Sequence, residues 1–462
     1  MIHRHQSETT WQRAWYPVAF LDDLDRERPQ AFTLLGQDLV LWYDRGEQRW
    51  CAFADVCPHR LVPLSQGRLN DDGQLECPYH GWSFNGDGQC TAIPQAQEGQ
   101  AIGQRSHCRA YATATGQGLL FVFSGAAPEA DGHPLPLLPM LKQQGKGRTG
   151  WDEGWIVEDI ARDLPMDALT LLENVLDASH VPFTHHATVG RRDTAGPVNL
   201  QLTSFGPEGF TGEWPEGPRR GKLGSQHTTY AAPCLMWHDL TAPGFARFLT
   251  VVYATPIRRG ECRLFARFPF QFRSPWPARL LGLRPRWLQH LGNHTVLEDD
   301  QIFLHWQERL LEQRGGSQHA IRNFHLPTAA DRYIRALHDW VNRYGGEPFA
   351  GQPLPPRLGE AALMDRLEAH TRHCRSCSGA LRRLTHVQQL CELLVVAGLA
   401  GLAWCGGSGA GGTALVALLL TAAALACRWR CQAWIQQLKR GSGQPPRNRL
   451  SGRGRGRARP GR

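Results

Sequence analysis

The chain has 462 residues, of which 42% are hydrophobic, and a formal net charge of +9 at pH 7. Its length exceeds what one hydrophobic core usually supports, so we expect two or three domains. Nine lysine or arginine residues lie within residues 439–462 without one acidic residue, so the C-terminal tail carries the excess charge. The rest of the chain is close to neutral, which argues against a nucleic-acid-binding protein.

The cysteines predict a reducing environment. The chain has 13 of them, and they form no even, closely spaced framework of the kind that secreted disulfide-rich domains use. Residues 1–10 contain no apolar stretch typical of a secretory signal. We therefore expect mostly free thiols.

The N-terminal quarter alternates short β-prone runs with turns. Residues 38–43 and 50–53 are rich in strand-forming side chains. A strong turn at residues 70–73 separates two arms that each contain a cysteine and a histidine. We predict an antiparallel β domain at residues 12–125, with each arm at the tip of a hairpin loop.

The two arms have the composition of a metal site. Cys57 and His59 form a C-x-H pair, and Cys77 and His80 form a C-x-x-H pair. A zinc finger usually keeps its thiolates together and its histidines together, whereas each arm here holds one of each. A Rieske [2Fe–2S] cluster needs two cysteines on one iron and two histidines on the other. We predict such a cluster on these four residues, with a zinc ribbon as the alternative.

The cluster lacks the disulfide of the respiratory-chain Rieske proteins, which joins their two cluster loops. The corresponding positions here are Val62 and Tyr79. Without that disulfide, and with fewer hydrogen-bond donors near the sulfurs, we expect a lower reduction potential. Such a potential suits a cluster that delivers electrons to an oxygenase iron.

A second candidate site follows a proline- and glycine-rich linker predicted at residues 126–150. Helical spacing at residues 167–177 leads to His180 and His185, which a straight helix would separate by roughly 140°. Pro182 disfavours continuing that helix and would let both imidazoles face one point. Surface histidines at the end of a helix are the alternative.

Two further acids complete this candidate site. Asp177 lies three residues before His180, within reach of the imidazole nitrogen that does not bind metal. The histidines supply two-thirds of a 2-His-1-carboxylate iron site, so a third ligand must come from elsewhere. Beyond a β-rich stretch, which we expect to form a curved sheet, an apolar helix carries three adjacent acids. We choose Asp300 as the ligand, with Asp299 as the alternative.

A C-x-x-C motif precedes the C-terminal region. Cys374 and Cys377 have basic neighbours, so they are candidates for a redox-sensitive dithiol. Two ordinary cysteines are the alternative. The nearby His370 and His373 also permit a small metal site.

Two apolar runs predict a membrane hairpin at residues 387–430. Each run is shorter than the roughly 20 residues that span a bilayer comfortably. Arginines and lysines flank both outer ends, so both ends are predicted on the cytoplasmic side. A buried soluble helical hairpin is the alternative. We expect residues 346–386 to be a linker with the C-x-x-C motif and residues 431–462 to be a basic, disordered tail that contacts anionic lipid.

Over roughly residues 12–430 the sequence resembles the Rieske non-haem iron oxygenases. Within them it is similar to the membrane-bound group of pheophorbide a oxygenase and chlorophyllide a oxygenase. The motifs that carry this resemblance are Cys57-Pro-His59-Arg, Cys77-Pro-Tyr-His80-Gly-Trp, Glu173-Asn-Val-Leu-Asp177-Ala-Ser-His180-Val-Pro-Phe-Thr-His185-His186, the inward acid Asp300, and the C-x-x-C of Cys374 and Cys377.

The resemblance implies an α+β protein with a Rieske domain, a catalytic domain of helix-grip (START-like) type at residues 151–345 and a C-terminal transmembrane hairpin. It also implies a mononuclear non-haem Fe(II) held by His180, His185 and Asp300, and a homotrimer. In that trimer Asp177 would connect His80 of one subunit to His180 of the next.

The resemblance further implies a monooxygenase or dioxygenase that uses O2 and electrons from ferredoxin or an NADPH-dependent reductase. The implied substrate is a hydrophobic ring compound such as a chlorophyll-derived tetrapyrrole. The short N-terminus leads us to expect a cyanobacterium-like source, with the protein on a thylakoid or plasma membrane. A membrane-tethered electron carrier or redox sensor is the alternative function.

Overall fold

The structure is a computed structural model that describes residues 10–142, 154–241, 245–408 and 411–441. It divides into two compact units. The described residues of the first unit lie within Met1–Leu283 and Asp300–Arg357. Those of the second unit lie within Arg284–Asp299 and Leu358–Pro445. The predicted linker from residue 143 onwards and the predicted basic tail from residue 442 onwards lie outside the described residues.

The N-terminal part of the first unit consists of short antiparallel strands, as predicted. They form sheets in the order β2-β3-β4-β9, β5-β6-β7-β8 and β1-β11-β10. The strands are β1 (Trp15–Phe20), β2 (Gln30–Leu34), β3 (Gln37–Asp44), β4 (Arg49–Ala54), β5 (Arg68–Leu69), β6 (Leu75–Glu76), β7 (Ser83–Phe84), β8 (Cys90–Ala92), β9 (Ala110–Tyr111), β10 (Thr113–Gly116) and β11 (Leu119–Phe123).

Side chains of the β3–β4 hairpin pack against the two cysteine arms in one hydrophobic core. Its turn closes because the Asp44 carboxylate accepts hydrogen bonds from the backbone N–H groups of Gly46 and Glu47, at 2.8 and 3.1 Å. Trp42 and Phe53 are fully buried and meet edge to face, with ring centroids 5.5 Å apart. Both aromatic rings belong to the core that also buries the two arm cysteines.

The rest of the first unit is built around one seven-stranded antiparallel sheet, in the order β12-β18-β17-β16-β15-β14-β13. Paired charges fix the register of β12 against β18, because Asp163 faces Arg263 and Asp159 faces Arg267, at 2.6 and 2.8 Å. The strands are β12 (Trp155–Leu164), β13 (Gln201–Gly206), β14 (Gly209–Trp214), β15 (Gln226–Ala231), β16 (Leu235–Leu240), β17 (Phe245–Arg258) and β18 (Glu261–Phe272).

Helices complete the α+β fold, which confirms the predicted class. Helix α4 contributes residues to both units. The helices are α1 (Ala168–Leu176), α2 (Val181–Thr184), α3 (Pro275–Leu283), α4 (Arg286–Glu312), α5 (Ala320–Asn323), α6 (Arg332–Trp340), α7 (Glu360–Leu363), α8 (Arg375–Ser408) and α9 (Gly411–Lys439), with π-helical turns at Val341–Gly345 and Leu367–Thr371.

Helices α8 and α9 form the predicted C-terminal hairpin, and they are longer than the apolar runs alone. They have 34 and 29 residues, so each exceeds the roughly 20 residues that a bilayer span needs. By length and composition both could cross a membrane. The helices approach closely at Gly398, where a Cβ atom would lie 2.0 Å from the hydroxyl of Thr421.

Candidate cluster and metal-binding sites

The two cysteine arms have the same backbone hydrogen bonds. The N–H of Cys57 donates to the carbonyl of Val62 at 2.9 Å, and the N–H of Cys77 donates to the carbonyl of Trp82 at 2.8 Å. Each arm thus closes over five residues from its cysteine. This repetition places the two cysteines in matching loops. The second arm lies at the tip of a hairpin between β6 and β7, as predicted, whereas the first connects β4 to β5, which belong to different sheets and form no hairpin.

Each loop turns through a residue with positive φ, four positions after its cysteine. These residues are Leu61, with φ of 60°, and Gly81, with φ of 73°. Glycine adopts this conformation without strain, whereas Leu61 does so at some cost and keeps 74% of its side chain exposed. The two arms therefore turn at the same position relative to their cysteines.

The four predicted ligands of the cluster lie together. His59 stacks on Trp82 with an interplanar angle of 5°, and the rings of His59 and His80 are 4.5 Å apart. Both cysteines are buried, and burial together with the neighbouring Cys77 raises the pKa of the Cys57 thiol to about 11. Metal coordination compensates for the cost of a buried thiolate, so the donor set fits a [2Fe–2S] cluster.

The structure also brings together the three predicted ligands of a mononuclear metal. The Nε2 atoms of His180 and His185 are 3.3 Å apart, and His185 Nε2 is 3.3 Å from Asp300 Oδ2. All three ligand atoms lie within 4.8 Å of one another. Adjacent ligands at right angles around a metal with bonds of about 2.1 Å are about 3 Å apart. The donor set and the spacing therefore fit a 2-His-1-carboxylate site.

The helix before the two histidines ends earlier than the predicted break at Pro182. Helix α1 already ends at Leu176, and Pro182 lies in the first turn of the short α2. Proline is tolerated there because the first N–H groups of a helix have no partner within it. The two histidines consequently flank one helical turn instead of sharing a longer helix.

Gly190 holds the segment after α2 in place. A Cβ atom at this position would lie 2.0 Å from the carbonyl oxygen of Val181, so a larger side chain would displace the backbone. The N–H of Gly190 donates to the carbonyl of His185 at 2.9 Å. Close packing and this hydrogen bond together fix the backbone that carries His185.

Asp177 follows α1 and lies beside His180. Its Oδ1 accepts hydrogen bonds from the N–H and the hydroxyl of Ser179, both at 2.7 Å, and its Oδ2 lies 3.5 Å from His180 Nδ1. Burial alone would raise the pKa of Asp177, but the interactions with His180 and Ser179 hold it below its ordinary value. An anionic partner at Nδ1 leaves Nε2 of His180 to face the metal.

A buried histidine that sequence reasoning missed supports the end of α1. His238 on β16 lies with Nε2 2.9 Å from the carbonyl oxygen of Val175 and Nδ1 2.8 Å from the hydroxyl of Thr228. Burial lowers its pKa to about 4, so the ring is neutral. Because Val175 is two residues before Asp177, this contact helps to position the acid.

Asp300 is the acid whose carboxylate lies with the two histidines. The amide of Gln307, seven residues after Asp300 on α4, donates to Glu173 Oε1 at 3.1 Å. The other oxygen of Glu173 lies 2.8 Å from Nε2 of the buried His338. Glu173 and His338 form a second polar cluster that sequence spacing did not indicate, because 165 positions separate them.

Cys374 and Cys377 lie in the second unit, where they meet two histidines. Cys377 Sγ is 3.3 Å from His370 Nε2 and 3.4 Å from His290 Nδ1. All four side chains are buried, whereas the candidate His373 is exposed. His290 was not foreseen, because more than 80 positions separate it from the C-x-x-C motif.

Comparison with known proteins identifies the family. Residues 14–112 match the family model of the Rieske [2Fe-2S] domain, and residues 230–318 match that of pheophorbide a oxygenase. Pheophorbide a oxygenase of Arabidopsis thaliana is 37% identical over 402 residues, which cover 80% of this chain and 72% of the relative. The chain belongs to the pheophorbide a oxygenase family.

Membership in the pheophorbide a oxygenase family confirms the prediction of a Rieske non-haem iron oxygenase. The match at residues 14–112 confirms a Rieske [2Fe–2S] domain in place of a zinc ribbon. Chlorophyllide a oxygenase of Chlamydomonas reinhardtii is 30% identical over 349 residues, which cover 73% of this chain and 50% of that protein.

Solved structures share the fold of this pheophorbide a oxygenase family member. NdmB of Pseudomonas putida CBB5 aligns with a TM-score of 0.58 and 22% identity, over 73% of this chain and 92% of that one. Dicamba monooxygenase bound to dicamba aligns with a TM-score of 0.53 and 21% identity, over 72% and 98% of the two chains. The likeness confirms the predicted Rieske oxygenase architecture.

Proposed function

We propose that this protein oxygenates a chlorophyll-derived tetrapyrrole, with pheophorbide a as the first candidate substrate. The observation that carries the proposal is the 37% identity to pheophorbide a oxygenase over 402 residues. The convergence of His180, His185 and Asp300 supports it, because a Rieske electron carrier without oxygenase activity has no use for a second metal site.

The residues around the proposed iron have separable tasks. When bound, the iron supplies open coordination positions for dioxygen beside the substrate, since only three protein ligands hold it. Asp177 fixes the ring of His180, and the packing of Gly190 fixes the backbone of His185. In a monooxygenation, dioxygen, two electrons and two protons would give one oxygen atom in the product and one water. We propose ferredoxin or an NADPH-dependent reductase as the source of the electrons.

We propose a homotrimer in which Asp177 connects two subunits. The acid already contacts His180 in its own chain at 3.5 Å. In the proposed assembly it would also accept a hydrogen bond from His80 of the neighbouring subunit. The exposed cluster loops, including Tyr79 at 55% exposure, leave His80 accessible to such a neighbour.

We propose that α8 and α9 cross a membrane as a hairpin, with the catalytic part on the cytoplasmic side. Large apolar side chains are exposed along both helices, among them Leu393, Val396 and Leu419. Basic residues flank the outer ends, as expected for ends that stay on the cytoplasmic side. The relatives are named as chloroplastic. For this chain we propose the thylakoid or plasma membrane of a cyanobacterium-like cell.

The purified protein is expected to oxygenate pheophorbide a after reduction without oxygen and subsequent addition of O2. Mass spectrometry with labelled dioxygen would detect the incorporated atoms and distinguish monooxygenation from dioxygenation. Chlorophyllide a and a flavonoid serve as comparison substrates. About three irons per chain are expected, two in the cluster and one at the triad. A protein with about two irons and no product would instead be an electron carrier.

Asp177→Asn is expected to lower activity and iron affinity by ~10–100-fold while leaving the cluster intact. Asparagine would keep an acceptor towards Ser179 but would present an NH2 group to His180 Nδ1. The ring would then favour the tautomer with its proton on Nε2, which cannot bind metal. Iron titration of the apoprotein measures the affinity, and the visible spectrum reports on the cluster.

Asp193→Asn is the matched control for this substitution. Asp193 pairs with Arg191 on the surface, so its loss should change neither iron binding nor turnover. An Asp177→Asn protein with unchanged iron affinity and turnover would mean that Asp177 does not position His180.

A further inference from the structure

Four buried ligand atoms in the second unit form the corners of a small tetrahedron. His290 Nδ1 lies 3.0 Å from His370 Nε2, 3.6 Å from Cys374 Sγ and 3.4 Å from Cys377 Sγ. His370 Nε2 is 3.3 Å from Cys377 Sγ. Around a zinc ion with bonds of about 2.3 Å to sulfur and 2.05 Å to nitrogen, tetrahedral geometry requires about 3.3 Å between nitrogens and 3.6 Å between nitrogen and sulfur.

Hydrogen bonds between these groups do not account for the arrangement. Three of the contacts converge on Nδ1 of His290, yet a ring nitrogen has either one proton or one lone pair and so forms one well-aligned hydrogen bond. All four ligand atoms lie within 4.8 Å of one another. A central cation interacts favourably with all four at once. We propose that His290, His370, Cys374 and Cys377 bind a structural zinc ion.

Burial favours the zinc site over a redox-sensitive dithiol. Cys374 and Cys377 are only 2% and 0% exposed, so a protein reductant would have no access to either sulfur in this conformation. Zinc has no redox chemistry of its own, and a closed set of two thiolates and two imidazoles is typical of structural zinc. Zinc binding to the two thiols and two neutral imidazoles would release two protons and change no oxidation state.

The proposed zinc ion would join three segments of the second unit. His290 belongs to α4, His370 belongs to the π-helical turn at Leu367–Thr371, and the two cysteines lie at the start of α8. The turn is also attached to the end of α9, because the hydroxyl of Thr371 donates to the carbonyl of Leu438 at 2.7 Å. Zinc would therefore stabilise the base of the helical hairpin, in addition to the hydrophobic cluster that Leu291 and Leu438 form there.

Metal analysis of the full-length protein, purified without chelators, tests the site. We expect about one zinc per chain, with two sulfur ligands at about 2.3 Å and two nitrogen ligands at about 2.05 Å in the zinc X-ray absorption spectrum. Iron is measured on the same sample, because zinc that had replaced the cluster would remove about two irons per chain. The wild-type spectrum needs no variant and so does not depend on how a variant folds.

Variants then assign the ligands. His370→Ala should remove most of the zinc and leave the iron content unchanged, whereas the matched control His373→Ala should keep both metals. A wild-type protein without zinc, a disulfide between Cys374 and Cys377, or full zinc retention in His370→Ala would overturn the proposal. Zinc is scored independently of turnover, so failure of the oxygenase assay would not affect this result.

Discussion

Replacing His185 by alanine is expected to leave about two irons per chain instead of about three and to lower oxygenase turnover by at least ~100-fold. The side chain would supply one of the three proposed protein ligands, and its Nε2 lies 3.3 Å from a ligand atom of each of the other two. Alanine leaves two ligands that cannot retain the metal at the low concentrations of an assay. Iron analysis, product formation and the visible spectrum of the cluster measure the three consequences.

His186→Ala is the control for this experiment. His186 is adjacent in the sequence, and its Nδ1 accepts a hydrogen bond from the N–H of Arg192 at 3.3 Å, outside the ligand group. Its loss should therefore keep about three irons and most of the activity. His180→Ala should behave like His185→Ala, with an intact cluster spectrum. Simultaneous loss of the cluster in either variant would show that the histidines had been assigned to the wrong site.

The cluster site was predictable because its ligands and their loops are local in sequence. Cys57, His59, Cys77 and His80 lie within 24 consecutive residues, and the hairpin turns between them are short-range features. The structure adds the repeated backbone hydrogen bonds and the stacking of His59 on Trp82. Those contacts depend on side-chain orientation, which spacing alone does not determine.

The mononuclear site was only partly predictable from residues. His180 and His185 were visible as a pair, but the choice of Asp300 over Asp299 depended on which face of α4 points inward. That face is decided by tertiary packing, since neighbouring positions on a helix differ by about 100°. The helix break was misplaced for a related reason. Helix α1 ends at Leu176, where Asp177 turns to contact Ser179 and His180, before any proline is reached.

The zinc site shows where sequence reasoning stops. The C-x-x-C motif indicated a dithiol or a metal site, and His370 was one of two nearby histidines considered. The second histidine ligand, His290, lies 80 positions before His370 and has no local signature. Only the fold brings α4 to the start of α8, so the complete ligand set could not have been assembled from spacing.

Co-expression of two inactive variants is expected to restore activity if the cooperating centres belong to different subunits. Cys77→Ser removes a cluster ligand, and His185→Ala removes an iron ligand. Each variant alone should have below ~1% of wild-type turnover, by the ligand argument above. In a randomly mixed ring of three subunits, each contact has about a one-in-four chance of pairing an intact cluster with an intact iron site of its neighbour, so about a quarter of wild-type turnover is expected.

Two comparisons make this outcome specific. Co-expression of His180→Ala with His185→Ala should restore nothing, because every subunit then lacks the same iron site. Mixing the separately purified variants should also restore little unless the oligomers exchange subunits. If Asp177 connected the two centres within one chain, the Cys77→Ser and His185→Ala pair would stay inactive on co-expression. Activity near one quarter of wild type therefore requires both an oligomer and a connection between chains. Neither the iron count nor the single variants can distinguish a connection between chains from one within a chain.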